Sequence, residues 1–249
     1  MSDSSPITIP KKEDFLKNRA EALSTDNWKS KYNKNNIEVY IKEVSNSPVI
    51  RIKCICRMSD VTARDLYLTL MQEEYVRAYD YQMDEWKIIE EIDQSNDISF
   101  YTAKIPAMLK MFLSPRSFLS HRSYGETTSS VEEYMLMMHS HEDSRVPHRK
   151  KYVRANIYVT CFLIQADGDS GCKLTYFSQT DLKGNIPKKL MSWSTTKFAP
   201  QVMKDFEKQA KQYAAFMKKN PDIKTRTIFP AFMTEDDDQV DSVDDEELD

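Results

Sequence analysis

The chain has 249 residues, 40% of them hydrophobic and 30% charged, with a formal net charge of −4. That length buries one large core or two small ones, and no Gly/Pro/Ser-rich linker divides it, so one folded domain with tails is expected. No run of about 18 apolar residues occurs, which excludes a transmembrane helix, and the polar stretch at residues 1–10 lacks an apolar secretory core.

Residues 13–23 predict a helix, with Phe15, Leu16, Ala20 and Leu23 spaced for one face. Residues 28–32, 37–44 and 49–56 read as three strands of a meander, turned at Asn35-Asn36 and at Asn46-Ser47-Pro48. Ser59 or Asp60 can cap a second helix running to about Arg77, with Val61, Leu66, Leu68, Leu70 and Met71 as its apolar content. Residues 86–92 and 98–104 read as a hairpin over 93–97, and residues 116–124 and 131–139 as another. Residues 152–166 form a long β-branched and aromatic run. Asp167-Gly168-Asp169-Ser170-Gly171 then turns the chain, since glycines accept the positive φ that hairpin turns need, and residues 173–179 return. After a turn over 181–187, Pro187 suits the first turn of a helix that runs to about Lys219, bent near Pro200 because proline removes a backbone donor. Strands grouped together with terminal helices indicate an α+β fold and not a parallel α/β one.

Residues 235–249 hold ten acidic side chains and no Lys or Arg, leaving 35 basic against 29 acidic residues before them, a net of +6. Such a block repels itself and has little to bury, so residues 221–249 are expected to form a disordered acidic tail beyond a domain spanning 13–220, with a flexible start at 1–12. Two readings of the tail stand: a solvated face, or an electrostatic regulator that competes with anionic surfaces for the basic body. Cys54, Cys56, Cys161 and Cys172 fit free buried thiols of a cytosolic protein. His139 and His141 stand two apart on a strand, but zinc needs three or four convergent ligands and no such spacing is evident. No Gly-x-Ser-x-Gly elbow, P-loop or dinucleotide glycine pattern occurs.

Several features, in order, resemble the START (StAR-related lipid transfer) domain family. They are Tyr79-Asp80 after the central helix, Phe100-Tyr101-Thr102-Ala103-Lys104 followed by Pro106, Ser114-Pro115-Arg116-Ser117-Phe118, the ungapped late hairpin from Tyr152 to Phe177, and Gly184-x-Ile186-Pro187-x-x-Leu190-x-x-Trp193. Ser117 stands where the family has Asp, and Lys183 where it has a second Gly. The resemblance spans about residues 13–218. It implies a helix-grip fold, a curved antiparallel sheet wrapped around a long C-terminal helix and enclosing a tunnel for one lipid. It also implies a non-enzymatic carrier without cofactor, metal or nucleic acid, acting in the cytoplasm as a monomer and meeting anionic membrane surfaces transiently.

Within the family the chain is most similar to the phosphatidylcholine-transfer branch, which holds a quaternary ammonium in an aromatic cage. The resemblance places Tyr101, Phe118 and Tyr158 on the cage positions, where each ring face stabilises a desolvated cation by roughly 0.5–2 kcal/mol. It places Asp80 and Arg77 near the head group, with Val76 at the position of the branch's phosphate-binding Arg. Thr160 and Trp193 join the candidate lipid contacts. By the strand period, Arg154, Asn156, Tyr158 and Thr160 share one face, opposite Ala155, Ile157, Val159, Cys161 and Leu163. If the first face lines the tunnel, Arg154 is a second phosphate candidate; the sequence leaves open which face points inward. Met108, Leu109, Lys110, Met111, Phe112 and Leu113 fall on the loop that lids the tunnel, apolar enough to cover acyl chains or enter a membrane beside Lys110. Besides lipid transfer, two functions remain open: a lipid-sensing interaction protein, and a hydrolase or cyclase, for which no activated nucleophile is visible.

Overall fold

The computed structural model describes residues 8–79, 83–104, 113–127, 129–184 and 193–231. In chain order these form α1 (Lys12–Leu23), β1 (Lys29–Lys34), β2 (Ile37–Lys42), β3 (Arg51–Met58), α2 (Ala63–Met71) and α3 (Glu73–Tyr79). There follow β4 (Met83–Asp93), β5 (Asn96–Ala103), β6 (Arg116–Glu126), β7 (Glu133–Ser140), β8 (Val153–Arg154), β9 (Asn156–Ala166), β10 (Cys172–Asp181), a π-helical turn (Ser194–Phe198) and α4 (Ala199–Lys219). The strands make one sheet in the order β1-β2-β3-β10-β9-β7-β6-β5-β4, antiparallel throughout, with β8 pairing parallel to β6 off that path. This is the expected α+β architecture.

Side chains of a strand alternate between two faces, and here each face has its own cover. Phe162 and Ile164 of β9 and Leu174 and Tyr176 of β10 join a core with α2 and α4. Their neighbours Cys161, Leu163 and Phe177 point the other way, into a cluster with Phe15 and Ala22 of α1. We call the first the inner face and the second the outer face. Leu16 and Leu23 were expected on the buried stripe of α1 but are 51% and 41% exposed. The stripe that faces the sheet is Phe15, Arg19 and Ala22, at helical spacing. Arg19 belongs to it because Glu133, fully buried on β7, takes both its donors, at 2.8 and 3.0 Å. Burial opposes ionisation of Glu133. Bonds from Arg19, Thr127 and Gln165 outweigh that cost and hold its carboxyl below the usual range. At the other end of α1 the Lys53 ammonium donates to the carbonyls of Glu21, Ala22 and Ser24 at 2.9, 2.9 and 2.7 Å, satisfying helix-end acceptors that have no partner within the helix. α1 is thus tied to the sheet by ion pairs from Arg19 to Glu133 and from Glu21 to Lys42 and Arg51, and by one ammonium cap, around a Phe15 side chain whose burial stabilises by roughly 1.5–3 kcal/mol.

The second helix is two helices. Thr62, not Ser59 or Asp60, caps α2, its hydroxyl accepting from the Asp65 amide at 3.0 Å. Gln72, with ψ at 108°, is extended and separates α2 from α3. The expected single strand over 152–166 is likewise divided, at Ala155, between β8 and β9. The expected bend near Pro200 takes a specific form. Pro200 has no N–H to return to the preceding turn, and the helix enters α4 through the π turn, where the Ala199 amide bonds the Ser194 carbonyl five residues back. The expected helix start at Pro187 lies outside the described residues. The segment after α4, expected to begin the tail at 221, packs along the body to Ala231: the Glu126 and Ala231 amides bond the carbonyls of Phe229 and Glu126 at 2.9 and 2.8 Å.

Candidate functional site

The inner face of β5 and β6 carries a series of buried polar side chains, arranged in rungs because directly paired residues share a face. Register pairs Asp97 with Arg122, Ser99 with Ser120, Tyr101 with Phe118 and Ala103 with Arg116. At one end Arg122 forks onto both Asp97 oxygens, at 2.7 and 2.6 Å, with side-chain exposures of 4% and 0%. The Arg122 guanidinium lies 5.3 Å from the Trp86 ring and 5.6 Å from the Tyr124 ring, so aromatic faces replace the water it loses. Burial alone would lower the Arg122 pKa; Asp97 reverses that and keeps the cation fixed. The serine hydroxyls of the next rung are 3.3 Å apart. Below them Tyr101 and Phe118 stack with centroids 4.5 Å apart and planes 10° from parallel, in a cluster with Ala155, Ile157 and Met138. At the far end Arg116 donates to the carbonyls of Leu182 and Lys183 at 3.0 and 2.8 Å, which fixes the turn that leads toward the closing helix.

A second polar patch on the inner face is centred on β9 and β10. Thr160 shares a hydrogen bond with Ser178 at 2.8 Å and Ser178 another with Thr180 at 2.8 Å. Thr160 is therefore an inner-face residue, as one of the two sequence readings has it.

The structure separates the other candidates. Tyr158 does not join Tyr101 and Phe118. The pairing of β9 with β10 skips it: Gln179 opposes Val159 and Thr180 opposes Ile157, a bulge that leaves Tyr158 unpaired. Tyr158 is 49% exposed and lines an outer groove of about 620 Å³ with Asp14, Lys17, Glu21, Arg51 and Gln179. The bulge also reverses the alternation, so neither face proposed for this strand exists as a whole. Ala155 and Ile157 point inward, whereas Val159, Cys161 and Leu163 point outward. Arg154 faces outward too: its Nε donates to Ser117 Oγ at 3.1 Å, and its guanidinium sits 5.6 Å from the Phe100 ring, in the outer cluster of Ile98, Leu119 and Val146. Arg77 is exposed and ion-paired to Glu73 one turn back along α3, while Val76 is the residue that turns inward, 7% exposed. Trp193 stacks on Phe198 at 5.5 Å across the π turn, which packs beside β1 and β2. Leu113 is half-buried; Asp80, Met108, Leu109, Lys110, Met111 and Phe112 lie outside the described residues.

Sequence reasoning missed the Asp97–Arg122 pair. Asp97 was assigned to a turn; the turn is only Gln94-Ser95, and β5 begins at Asn96. The available signal was an Asp and an Arg at mirrored positions of adjacent strands, visible only once that register is known. The four cysteines are free and buried, and burial pushes the Cys54, Cys56 and Cys172 thiols up to about 12, leaving them protonated and unreactive. Among the described residues no group of His, Cys, Asp and Glu is placed to hold a metal ion, and no helix is long and apolar enough to cross a membrane.

Comparison with known proteins places this architecture. The START domain family model matches residues 11–215. START domain-containing protein 10 of Mus musculus is 29% identical over 215 residues, covering 86% of this chain and 72% of that protein, and its Homo sapiens counterpart matches equally. Among solved structures, human STARD10 superposes with a TM-score of 0.78 at 28% identity, covering 90% of this chain and 88% of that one. Human StAR-related lipid transfer protein 5 superposes at 0.68 with 18% identity, covering 82% and 93%, a likeness of fold. With a family model spanning most of its length and the sheet and closing helix in their places, this chain belongs to the START domain family.

Proposed function

We propose that this protein binds one phospholipid against the inner face of its sheet and carries it between membranes without altering it chemically. The observation that carries this reading is the sequence of rungs on β5 and β6: an aromatic pair, a hydroxyl pair and a fixed Arg–Asp pair, in a region otherwise packed with apolar side chains. A phospholipid head offers a cationic amine that suits the aromatic pair and a phosphate that suits the Arg–Asp pair, with ester oxygens and acyl chains following. Tyr101 and Phe118 stack on one another, an aromatic pair of the kind that stabilises a choline cation. Arg122 supplies a guanidinium for the phosphate, while the Thr160–Ser178 patch can accept or donate to ester oxygens. In this reading the apolar segment ending in Met108, Leu109, Lys110, Met111, Phe112 and Leu113 lids the bound chains. At a membrane it enters the head-group layer, where Lys110 meets anionic lipid. A carrier needs no nucleophile, which agrees with thiols held protonated by burial. Its place is the cytoplasm, with transient visits to membrane surfaces. START domain-containing protein 10, the relative similar along most of this chain, supports the family side of the reading, and the printed name of StAR-related lipid transfer protein 5 supports its lipid side.

The test is mass spectrometry of what the purified protein retains after incubation with a mixed cellular lipid extract. One phospholipid per chain, enriched in choline heads, is the expected result. A different lipid would keep the carrier and overturn the choline assignment, and no retained lipid would overturn both. Transfer between donor and acceptor vesicles then separates a carrier from a sensor, which binds but exchanges slowly.

A further inference from the structure

The segment after α4 does more than end the chain. It lies beyond the residues that the family model matches, yet it is bonded to three separate elements. Gln72, the extended residue between α2 and α3, donates to the Lys224 carbonyl at 3.3 Å and accepts from the Arg226 amide at 2.9 Å. Ser95, in the turn between β4 and β5, donates to the Pro230 carbonyl at 2.8 Å. Glu126, at the end of β6, brackets Phe229 and Ala231 with two backbone bonds. The approach at β6 is so close that Gly125, at φ +154°, has no room for a side chain: a Cβ there would stand 2.4 Å from the Phe229 carbonyl oxygen. Three distant elements and one glycine are therefore fitted to these eleven residues.

Arg226 connects this segment to the interior. One side of it lines a surface groove of about 530 Å³ with Glu91, Asp93, Thr227 and Phe229. On the other side its Nη2 donates to the Tyr124 hydroxyl at 2.5 Å, and its guanidinium lies 5.0 Å from the Tyr124 ring. Tyr124 is 2% exposed and carries the Arg122 guanidinium 5.6 Å from its ring centre. The Tyr124 oxygen accepts from Arg226 while its ring lies against Arg122, two of whose donors are held by Asp97. The chain of contacts runs from Arg226 through Tyr124 to Arg122 and its partner Asp97. It contains two guanidinium cations and one carboxylate, so its surplus charge is positive and suits an anion beside Arg122.

We infer that residues 221–231 are a working part of the interior site, with Arg226 a positioning residue that, through Tyr124, orients the Asp97–Arg122 pair toward a phosphate-bearing lipid head. This rests on the phospholipid reading above. It adds that the site is incomplete in a domain cut at the end of α4. Losing Arg226 removes a charge-assisted bond to a buried phenol and loosens the ring against which Arg122 lies.

The experiment uses the full chain and vesicles of mixed phosphatidylcholine and phosphatidylethanolamine, reading phospholipid retained per chain, transfer rate and melting temperature. Arg226→Ala is expected to weaken lipid retention about tenfold or more, the scale of a charged hydrogen bond, with the melting temperature lowered by only a few degrees. Arg226→Lys, which keeps one donor and the charge, is expected to recover part of the loss. Tyr124→Phe is expected to imitate Arg226→Ala, and the double variant to be no worse than either, because both break the same chain. If Arg226→Ala and Tyr124→Phe retain lipid normally while Arg122→Met does not, the inference fails and the phospholipid reading stands. Should Arg226→Ala fail to fold, Arg226→Lys and Tyr124→Phe decide the matter by the same comparison. Wild-type protein that takes up no lipid from these vesicles would overturn both.

Discussion

His121 is fully buried on the outer face of β6, and neither of its ring nitrogens has a hydrogen-bond partner among the described residues. The His139 ring stands edge-on at 4.9 Å, with His141 close enough to oppose a charge and Asp97 and Asp93 favouring one. Burial, reinforced by His139, pulls the His121 pKa down to about 4, and burial with His141 lowers His139 as well. A folded-state pKa depressed below the unfolded value of about 6.5 means that the unfolded chain binds the proton first. Stability from this residue is fully present above pH 6.5 and declines as pH falls toward 4, by roughly 3 kcal/mol in all. His121→Phe keeps the ring and forfeits no hydrogen bond. The variant is expected to match wild type at pH 7.5 and to lose much less stability between pH 6.5 and 4.5 in urea unfolding. Parallel pH profiles for the two proteins would show that the acid sensitivity originates elsewhere.

At the scale of the element, the bulge in β9 decides which aromatics can meet a ligand. Tyr158→Ala removes a half-exposed ring from the outer groove and is expected to leave retained phospholipid within about twofold of wild type. Tyr101→Ala removes one partner of the inner stack and opens space beside Phe118. It is expected to lower retention of choline lipids about fivefold to thirtyfold, the scale of one or two kcal/mol of cation–π attraction. Equal losses from the two variants would refute the assignment of faces. The same element shows what the sequence makes legible. The β-branched and aromatic content of residues 152–166 announces a strand, and the glycines of the following turn announce its hairpin. Strict alternation then predicts two whole faces, and fails because one unpaired residue reverses the order partway along. Nothing in Ile157-Tyr158-Val159 signals that reversal; it comes from register against β10, a long-range property. The break at Gln72 was hidden for a related reason. The local pattern is helical on both sides, and the partners that hold Gln72 extended lie more than 150 residues away. Local signals such as the hairpins and the terminal helix were readable, and so were the family motifs strung along them. The Asp97–Arg122 pair, which exists only through strand pairing, was not.

At the scale of the whole molecule, charge is divided as sharply as the core. The inner face of the sheet packs against α2, α3 and α4, and α1 covers the outer face at β9 and β10. Residues before the acidic block carry a net of +6 and the block itself carries ten negative charges. The chain is anchored to the body as far as Ala231, beside Glu126, which places the first acidic residue of the block within four residues of the folded surface. At physiological ionic strength the screening length is about 8 Å, so charges tethered this near lower the potential that an approaching anionic membrane meets. Deleting residues 235–249 is therefore expected to strengthen binding to vesicles containing phosphatidylserine, with the gain largest at low salt and nearly absent at about 1 M salt, where the screening length falls to about 3 Å. Because the deletion leaves the segment that ends at Ala231 intact, lipid retained per chain should not change. A gain that persists at high salt would mean that the deletion exposes apolar surface instead of unmasking charge, and no gain at any salt would mean that the block does not act on the basic body.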